Sequence, residues 1–374
     1  MTSATVLVSG ASVAGTTAAY WLSRHGYSVT VVERHDRPRP GGQAIDVRGP
    51  ALTVLQRMGL RDAADAKKTA IRGASFVDRV GNELSPNTEA TPTGGLIENP
   101  DIEILRDDLV ELLYGATQPQ VEYLFGDSIA ALDDRGDSVP VTFERAAARS
   151  FDFVIGADGL HSNVRRLVFG PESQFAKPLG TFAAIFTVPN FLDLDYWQMF
   201  HIGDNTMAGM YSARHNTEAR AMLGFSDTNL RLDYRDAAAQ FAEVERRMAA
   251  DGWVRPQILK YMRSAPDFYF DEMTQIIMDR WSRGRVALVG DAGYCCSPLS
   301  GQGTSVAVLG AYTLAGELAQ AGVDYQRGFA NYFATFHDYV LGNQWLATDD
   351  IPGGEPIPPD EFYRVIHSIA LKDY

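Results

Sequence analysis

Continuous apolar runs alternate with helix-spaced apolar positions along the first 33 residues of the chain. Ala4 to Ser9 is a short apolar strand. From Val13 to His25, Ala14, Ala18, Trp21 and Leu22 recur on one face of a helix that Gly26 ends. Ser28 to Glu33 is a second, β-branched strand. Strands this continuously apolar belong to a parallel sheet covered on both faces. Phe151 to Ile155 is another buried strand, and Arg285 to Val289 returns to the same sheet. The stretch from Arg34 to Gly49, rich in Pro, Gly and Arg, reads as a loop. Helices are predicted over Leu52 to Leu60, Ile104 to Tyr114, Tyr234 to Asp251, Thr304 to Gln320 and Arg327 to Leu346.

A different pattern fills the middle of the chain. Thr181 to Val188, Trp197 to Ile202, Ala208 to Ala213 and Arg220 to Phe225 are strand-like pieces between turns, with Gly203-Asp204-Asn205 as a hairpin turn. Ala74 to Ser85 is a further hairpin around Val80-Gly81-Asn82, followed by a polar loop from Pro86 to Gly95. Val121 to Phe125 and Val139 to Phe143 are weaker strands, and the tail after Asp349 is Pro-rich and then weakly helical. The pattern predicts an α/β protein with an antiparallel sheet inserted into a parallel-sheet domain.

Length and composition fit two or three domains of ordinary globular character, with 45% apolar and 21% charged residues in 374. A net charge of −14 excludes a nucleic-acid surface, which needs clustered positive charge. An anionic ligand must therefore be met by local Arg residues or helix N-termini. The excess of Arg over Lys and the abundant Ala reflect a GC-rich bacterial genome. The only cysteines, Cys295 and Cys296, are adjacent; they offer no disulfide framework and fit a reducing cytoplasm. No signal peptide or membrane span is read. The seven histidines lack metal-ligand spacing, so no metal site is expected.

Three glycine-bearing segments carry the chemistry. In the first, Gly10-Ala11-Ser12-Val13-Ala14-Gly15, a strand precedes, a helix follows, and Glu33 ends the next strand. Gly10 permits the tight turn and Gly15 the close helix packing; the helix start faces a pyrophosphate, and Glu33 accepts ribose hydroxyls. Ser12 replaces the middle glycine of G-x-G-x-x-G; its hydroxyl suits a phosphate. The second, Gly156-Ala157-Asp158-Gly159, sets a carboxylate at a strand's carboxyl end, where Arg165 or Arg166 would hold it or meet a phosphate. The third runs from Gly290-Asp291 to Pro298-Leu299-Ser300-Gly301-Gln302-Gly303-Thr304. Here Asp291 suits a ribityl hydroxyl, and the N–H groups at the start of the helix stabilise negative charge on a flat ring.

In this order, the segments resemble the single-component (class A) FAD-dependent aromatic hydroxylases, and in size the chain is similar to the smaller tetracycline-inactivating and polyketide-tailoring monooxygenases. The resemblance spans Leu7–Arg48, the Arg106 region, Phe153–Arg166 and Gly284–Leu318. It implies a Rossmann-like FAD-binding domain (1–72, 97–178 and 270–350), an inserted substrate domain (73–96 and 179–269) and a C-terminal tail (351–374). It implies FAD as cofactor, contacted by Gly10, Ser12, Val13, Gly15, Glu33, Arg34, Gln43, Arg106, Asp158, Asp291, Pro298, Gly301, Gln302, Gly303 and Thr304. NADPH or NADH would reduce FAD transiently, and O2 would give a C4a-(hydro)peroxide that oxygenates an aromatic or polyketide-like small molecule. Hydroxylation, Baeyer–Villiger insertion and epoxidation all use this machinery. No protein nucleophile is then needed; Arg48 is a candidate for the ring's vicinity. Candidate substrate contacts are Phe200, Tyr211, Met222, Phe225 and Leu299. Gly293-Tyr294 stand where the family often has Ala-His, an altered ring environment. A monomer or homodimer is expected. Competing readings are a flavin-dependent halogenase, whose W-x-W-x-I-P stretch is missing, a prenyl-chain reductase, and a flavin-binding protein without turnover.

Overall fold

The strands Val286–Leu288, Phe153–Gly156 and Thr5–Ser9 lie side by side in one parallel sheet, although long stretches of chain separate them. Ser28–Glu33 and Glu122–Phe125 extend the sheet on one side, and the short antiparallel Ser282–Arg283 closes the other. The computed structural model describes residues 4–92, 95–250, 252–347 and 357–374. Successive residues Val6, Leu7 and Val8 are all fully buried, the mark of a sheet covered on both faces. The Gly303–Ala321 helix packs between Val13–Arg24 and Tyr325–Trp345, which buries it on almost every side.

The second sheet has seven strands, in the order Tyr269–Ile276, Ala176–Val188, Glu218–Ser226, Thr206–Ala213, Trp197–Gly203, Gly73–Val77 and Glu83–Asn87. One face is covered by the helices Ala237–Met248 and Arg255–Met262. There Val244, Met248, Ile258 and Met262 share a core with Phe182, Ala184, Phe186, Leu223 and Phe225. The other face turns toward the parallel-sheet half, where the Ala44 N–H donates to the Tyr211 hydroxyl at 2.9 Å.

Several elements differ from the sequence reading. Within the expected loop Arg34 to Gly49, Ala44–Val47 is a strand paired with Ile102–Leu105. That partner is the start of the expected Ile104 to Tyr114 helix, which begins only at Arg106 and runs to Thr117. Phe151 belongs to a separate three-stranded meander, with Ile129–Leu132 and Val139–Phe143. The Arg255–Met262 helix and the Tyr269–Ile276 strand were not read from the sequence. Because Ala176–Val188 and Tyr269–Ile276 both belong to the seven-stranded sheet, they straddle the divisions expected at 178/179 and 269/270. The Glu83–Asn87 strand, with the Ala90–Thr91 and Gly95–Leu96 pair, takes up much of the loop expected from Pro86. Asp251 and residues 348–356 lie outside the described residues, and the tail beyond them contains the helix Pro359–Ile366. Among the described residues, no helix is long and apolar enough to cross a membrane.

Candidate functional site

The three glycine-bearing turns meet at the carboxyl edge of the parallel sheet. A Cβ on Gly10 (φ +106°) would lie 2.5 Å from the Ala157 carbonyl oxygen, so the first and second segments touch backbone to backbone. A Cβ on Gly15 would lie 1.9 Å from the Gly10 carbonyl, which is the close helix-to-turn packing expected of that position. Gly290 (φ +65°) sits between the first turns of two helices: its Cβ would be 2.9 Å from Ala14 and 3.6 Å from Ala307. Both helices, Val13–Arg24 and Gly303–Ala321, begin without a side-chain cap and without an acidic residue in the first turn. Their free N–H groups and dipoles favour an anion between them.

Around this edge, Glu33 accepts the Ala11 N–H at 2.9 Å and the His35 N–H at 3.0 Å, which ties the end of its strand to the first turn. Asp291 is half-buried, and burial pushes its carboxyl pKa up. Burial likewise raises that of Asp158, but this carboxylate is committed within its own loop. It accepts from the Ser162 hydroxyl and, at 3.0 Å, from the Val164 N–H. Neither expected arginine holds it: Arg165 is buried on Glu172 and the carbonyls of Leu160 and Ala292, and exposed Arg166 donates to Asn163. Arg106 is buried against the segment 39–41 and donates to the Arg39 carbonyl at 2.8 Å. Burial, reinforced by the nearby Arg39, lowers its pKa to about 10. Arg34 is exposed, and the Gln43 carbonyl accepts the Arg106 N–H at 3.0 Å. Pro298 is exposed and Leu299 half-exposed on the rim.

Arg48 lies behind the edge. Its guanidinium pairs with buried Asp46 at 2.8 Å and stacks on Phe362 of the C-terminal helix. Burial, opposed by Arg48, lifts the Asp46 pKa to about 6. The Arg48 N–H donates to Ser305, and Ser305 donates to the Asp46 carbonyl, so this strand is stitched to the start of the Gly303–Ala321 helix. Tyr294 points into the core, where its hydroxyl accepts from Tyr332 at 2.7 Å and its ring packs on Trp281, so the expected change to the ring environment does not arise from its side chain. Cys295 and Cys296 are free and buried, and burial pushes both thiols up.

The substrate candidates divide between the two faces of the seven-stranded sheet. Register places Phe76, Phe200, Gly209, Met222, Ile185 and Tyr269 opposite one another in one cross-strand row on the face toward the parallel-sheet half. The Phe200 ring packs against Gly209, whose Cβ would be 2.3 Å from it. A polar row runs beside it: Gln198, Tyr211, Arg220 and Thr187. Phe225 is a correction. It lies an odd number of residues from Met222, so it points to the opposite face, into the core with Phe182 and Phe270. Gln198 and Arg220, polar residues inside apolar strands, went unread, although that placement was itself the signal.

A family model described as an FAD binding domain matches residues 3–323. A flavin-dependent monooxygenase of Legionella longbeachae is 40% identical, covering 91% of this chain and 86% of that protein. The chain belongs to the FAD-binding family of flavin-dependent monooxygenases. An uncharacterised protein of Mycobacterium tuberculosis is 78% identical over 99% of this monooxygenase and the whole of its own length. The crystal structure of the tetracycline destructase Tet(51) superposes over the whole of both chains, with a TM-score of 0.89 at 33% identity. FAD is the cofactor of this monooxygenase, and the crevice suits it. Gly10 and Gly15 leave no room for side chains, while a Cβ on Gly301 or Gly303 would meet only open space. Gln302 is fully buried, yet neither polar atom of its carboxamide has a partner among the described residues. Such an orphan normally signals a group supplied from outside the chain.

Proposed function

We propose that this monooxygenase uses NAD(P)H and O2 to insert one oxygen atom into an aromatic, phenolic or polyketide-like small molecule. The observation that carries this reading is the cross-strand row Phe76–Phe200–Met222–Ile185–Tyr269 on the sheet face that turns toward the cofactor crevice. A planar, largely apolar molecule matches that floor. Bound FAD supplies hydride acceptance and oxygen activation, which no side chain here provides. Gly10, Ser12, Val13 and Gly15 would seat the pyrophosphate at the first helix, and Glu33 the adenosine ribose. Asp291 would take a ribityl hydroxyl, and the N–H groups of Gly303 and Thr304 would face the ring, since those of Gly301 and Gln302 donate to the Pro298 carbonyl and the Ser300 hydroxyl. Arg34, Gln43, Arg106 and Asp158 would border the crevice. Phe200, Met222 and Leu299 would orient the substrate and exclude water.

Purified protein should carry flavin absorption bands. It should oxidise NADPH or NADH slowly alone and faster with substrate, yielding a product heavier by one oxygen. The relationship to a tetracycline destructase makes tetracyclines the first compounds to test. Protein that neither retains nor binds FAD, or that never couples NAD(P)H oxidation to oxygen insertion across an aromatic panel, sinks the reading.

A further inference from the structure

The segment Gly41–Ala44 crosses between the two halves of the molecule and is gripped from both sides. From the parallel-sheet half, Asp107 accepts the Gly41 N–H at 2.9 Å, and the Arg106 side chain donates to the Gly41 carbonyl. From the seven-stranded sheet, Arg220 Nε donates to the Gly42 carbonyl at 3.1 Å, and the Tyr211 hydroxyl accepts the Ala44 N–H at 2.9 Å. Both glycines have positive φ, +70° and +116°. A Cβ on Gly41 would lie 2.3 Å from Asp267, and one on Gly42 2.6 Å from Arg106 Nε. The conformation therefore admits no side chain at either position.

The grips are joined to one another. Arg214 binds Asp107 at 2.8 Å and Asp108 at 2.9 Å, and its Nε reaches Glu218 at 2.9 Å. Glu218 also takes Arg220 at 2.8 Å. A chain of alternating charge thus runs Asp107–Arg214–Glu218–Arg220, and the Gly41–Gly42 peptide closes it into a ring. Tyr211 and Arg220 are both almost fully buried. A buried guanidinium is costly unless paired, so the geometry of this ring is tightly set.

We propose that Tyr211 and the ring Asp107–Arg214–Glu218–Arg220 are positioning residues that fix the peptide planes of Gly41–Ala44 along the cofactor crevice. The segment leaves the Glu33 side and continues into the strand that Ser305 stitches to the Gly303–Ala321 helix, so it joins the two ends of the proposed FAD site. The clamp uses the Gly41 and Ala44 N–H groups and the Gly41 and Gly42 carbonyls, while the Arg106 N–H takes the Gln43 carbonyl. Among the described residues, the Gly42 and Gln43 N–H groups have no acceptor, which leaves two fixed donors for the cofactor. Tyr211 then acts through the backbone and is not a substrate contact. The meaning of the clamp for catalysis rests on the FAD-monooxygenase reading; the clamp itself does not.

Tyr211→Phe keeps the ring and removes only the acceptor, and Glu218→Gln breaks the charge ring at its centre. In the FAD-free full-length protein, amide exchange in a peptide covering Gly41–Val47 should quicken about fivefold in each variant, the loss of roughly one net hydrogen bond. In the FAD-loaded protein, the flavin absorption band and midpoint potential should shift, and kcat should fall while the substrate KM stays within about twofold. Unchanged exchange in this peptide overturns the clamp. A raised KM with an unshifted flavin spectrum returns Tyr211 to the substrate pocket and overturns the positioning role. If wild-type protein binds no FAD, the proposed function fails while the exchange comparison still decides the clamp.

Discussion

A carboxylate that burial has made reluctant to ionise is poorly placed for stability and well placed for a ligand. Asp291 is such a group: its pKa is raised by desolvation, and it stands where two helix N-termini converge on Gly290. A hydroxyl donated by bound FAD would relieve that cost. Asp291→Ala should therefore weaken FAD binding by about 1.5–3 kcal/mol, roughly tenfold to a hundredfold, without destabilising the FAD-free protein. Fluorescence titration and urea melts measure the two halves separately, and an unchanged FAD affinity would refute the assignment. Asp158 has a carboxylate of the same kind, but Ser162 and the Val164 N–H already occupy it. From sequence both aspartates stand at strand ends as FAD contacts, because a Gly-Ala-Asp or a Gly-Asp at a strand end does not reveal which hydrogen bonds its own loop will supply.

Between elements, the second glycine-bearing turn is fastened to the seven-stranded sheet by His161. Its ring nitrogens lie 2.9 Å from Glu172 and 3.0 Å from Asp271, and it stacks on Tyr234 with ring centroids 3.7 Å apart. Burial disfavours its charged form, but hydrogen bonds to Asp271 and Glu172 outweigh this and raise its pKa to about 9. The folded-state pKa exceeds the ordinary 6.5, so this stabilisation is fully present below that value. It is lost as pH rises through about 9. Thermal melts across this range should show the gap between wild type and His161→Gln closing toward alkaline pH; a constant gap would mean the imidazole is uncharged in the fold. Element by element, the parallel sheet was legible because continuous apolar runs followed by glycine turns have few other solutions. The seven-stranded sheet was legible as strands but not as faces, since Met222 and Phe225 differ by an odd number of positions. The Ala44–Val47 strand was hidden inside a stretch rich in Gly and Pro, and its pairing with Ile102–Leu105 is a long-range contact that no local pattern announces.

Across the whole molecule, the cofactor crevice is assembled from three distant parts of the chain, and the proposed substrate floor takes Phe76 from between the first and the second and its other residues from between the second and the third. FAD should accordingly behave as a structural member. At a free concentration a hundredfold above its dissociation constant it should add about 2.7 kcal/mol to the unfolding free energy, read as a shift of the urea midpoint with an unchanged slope. No shift on saturation would mean that FAD binds folded and unfolded chains alike. The strand order has a consequence for synthesis. Val286–Leu288 completes the parallel sheet beside Phe153–Gly156, and the Gly303–Ala321 helix follows it. On the ribosome, the seven-stranded sheet can pair all its strands before the flavin has a crevice to enter. A nascent chain must therefore reach its final third without help from its cofactor, and translation pauses or chaperones acting before Gly303 would meet a formed seven-stranded sheet beside an unfinished nucleotide fold.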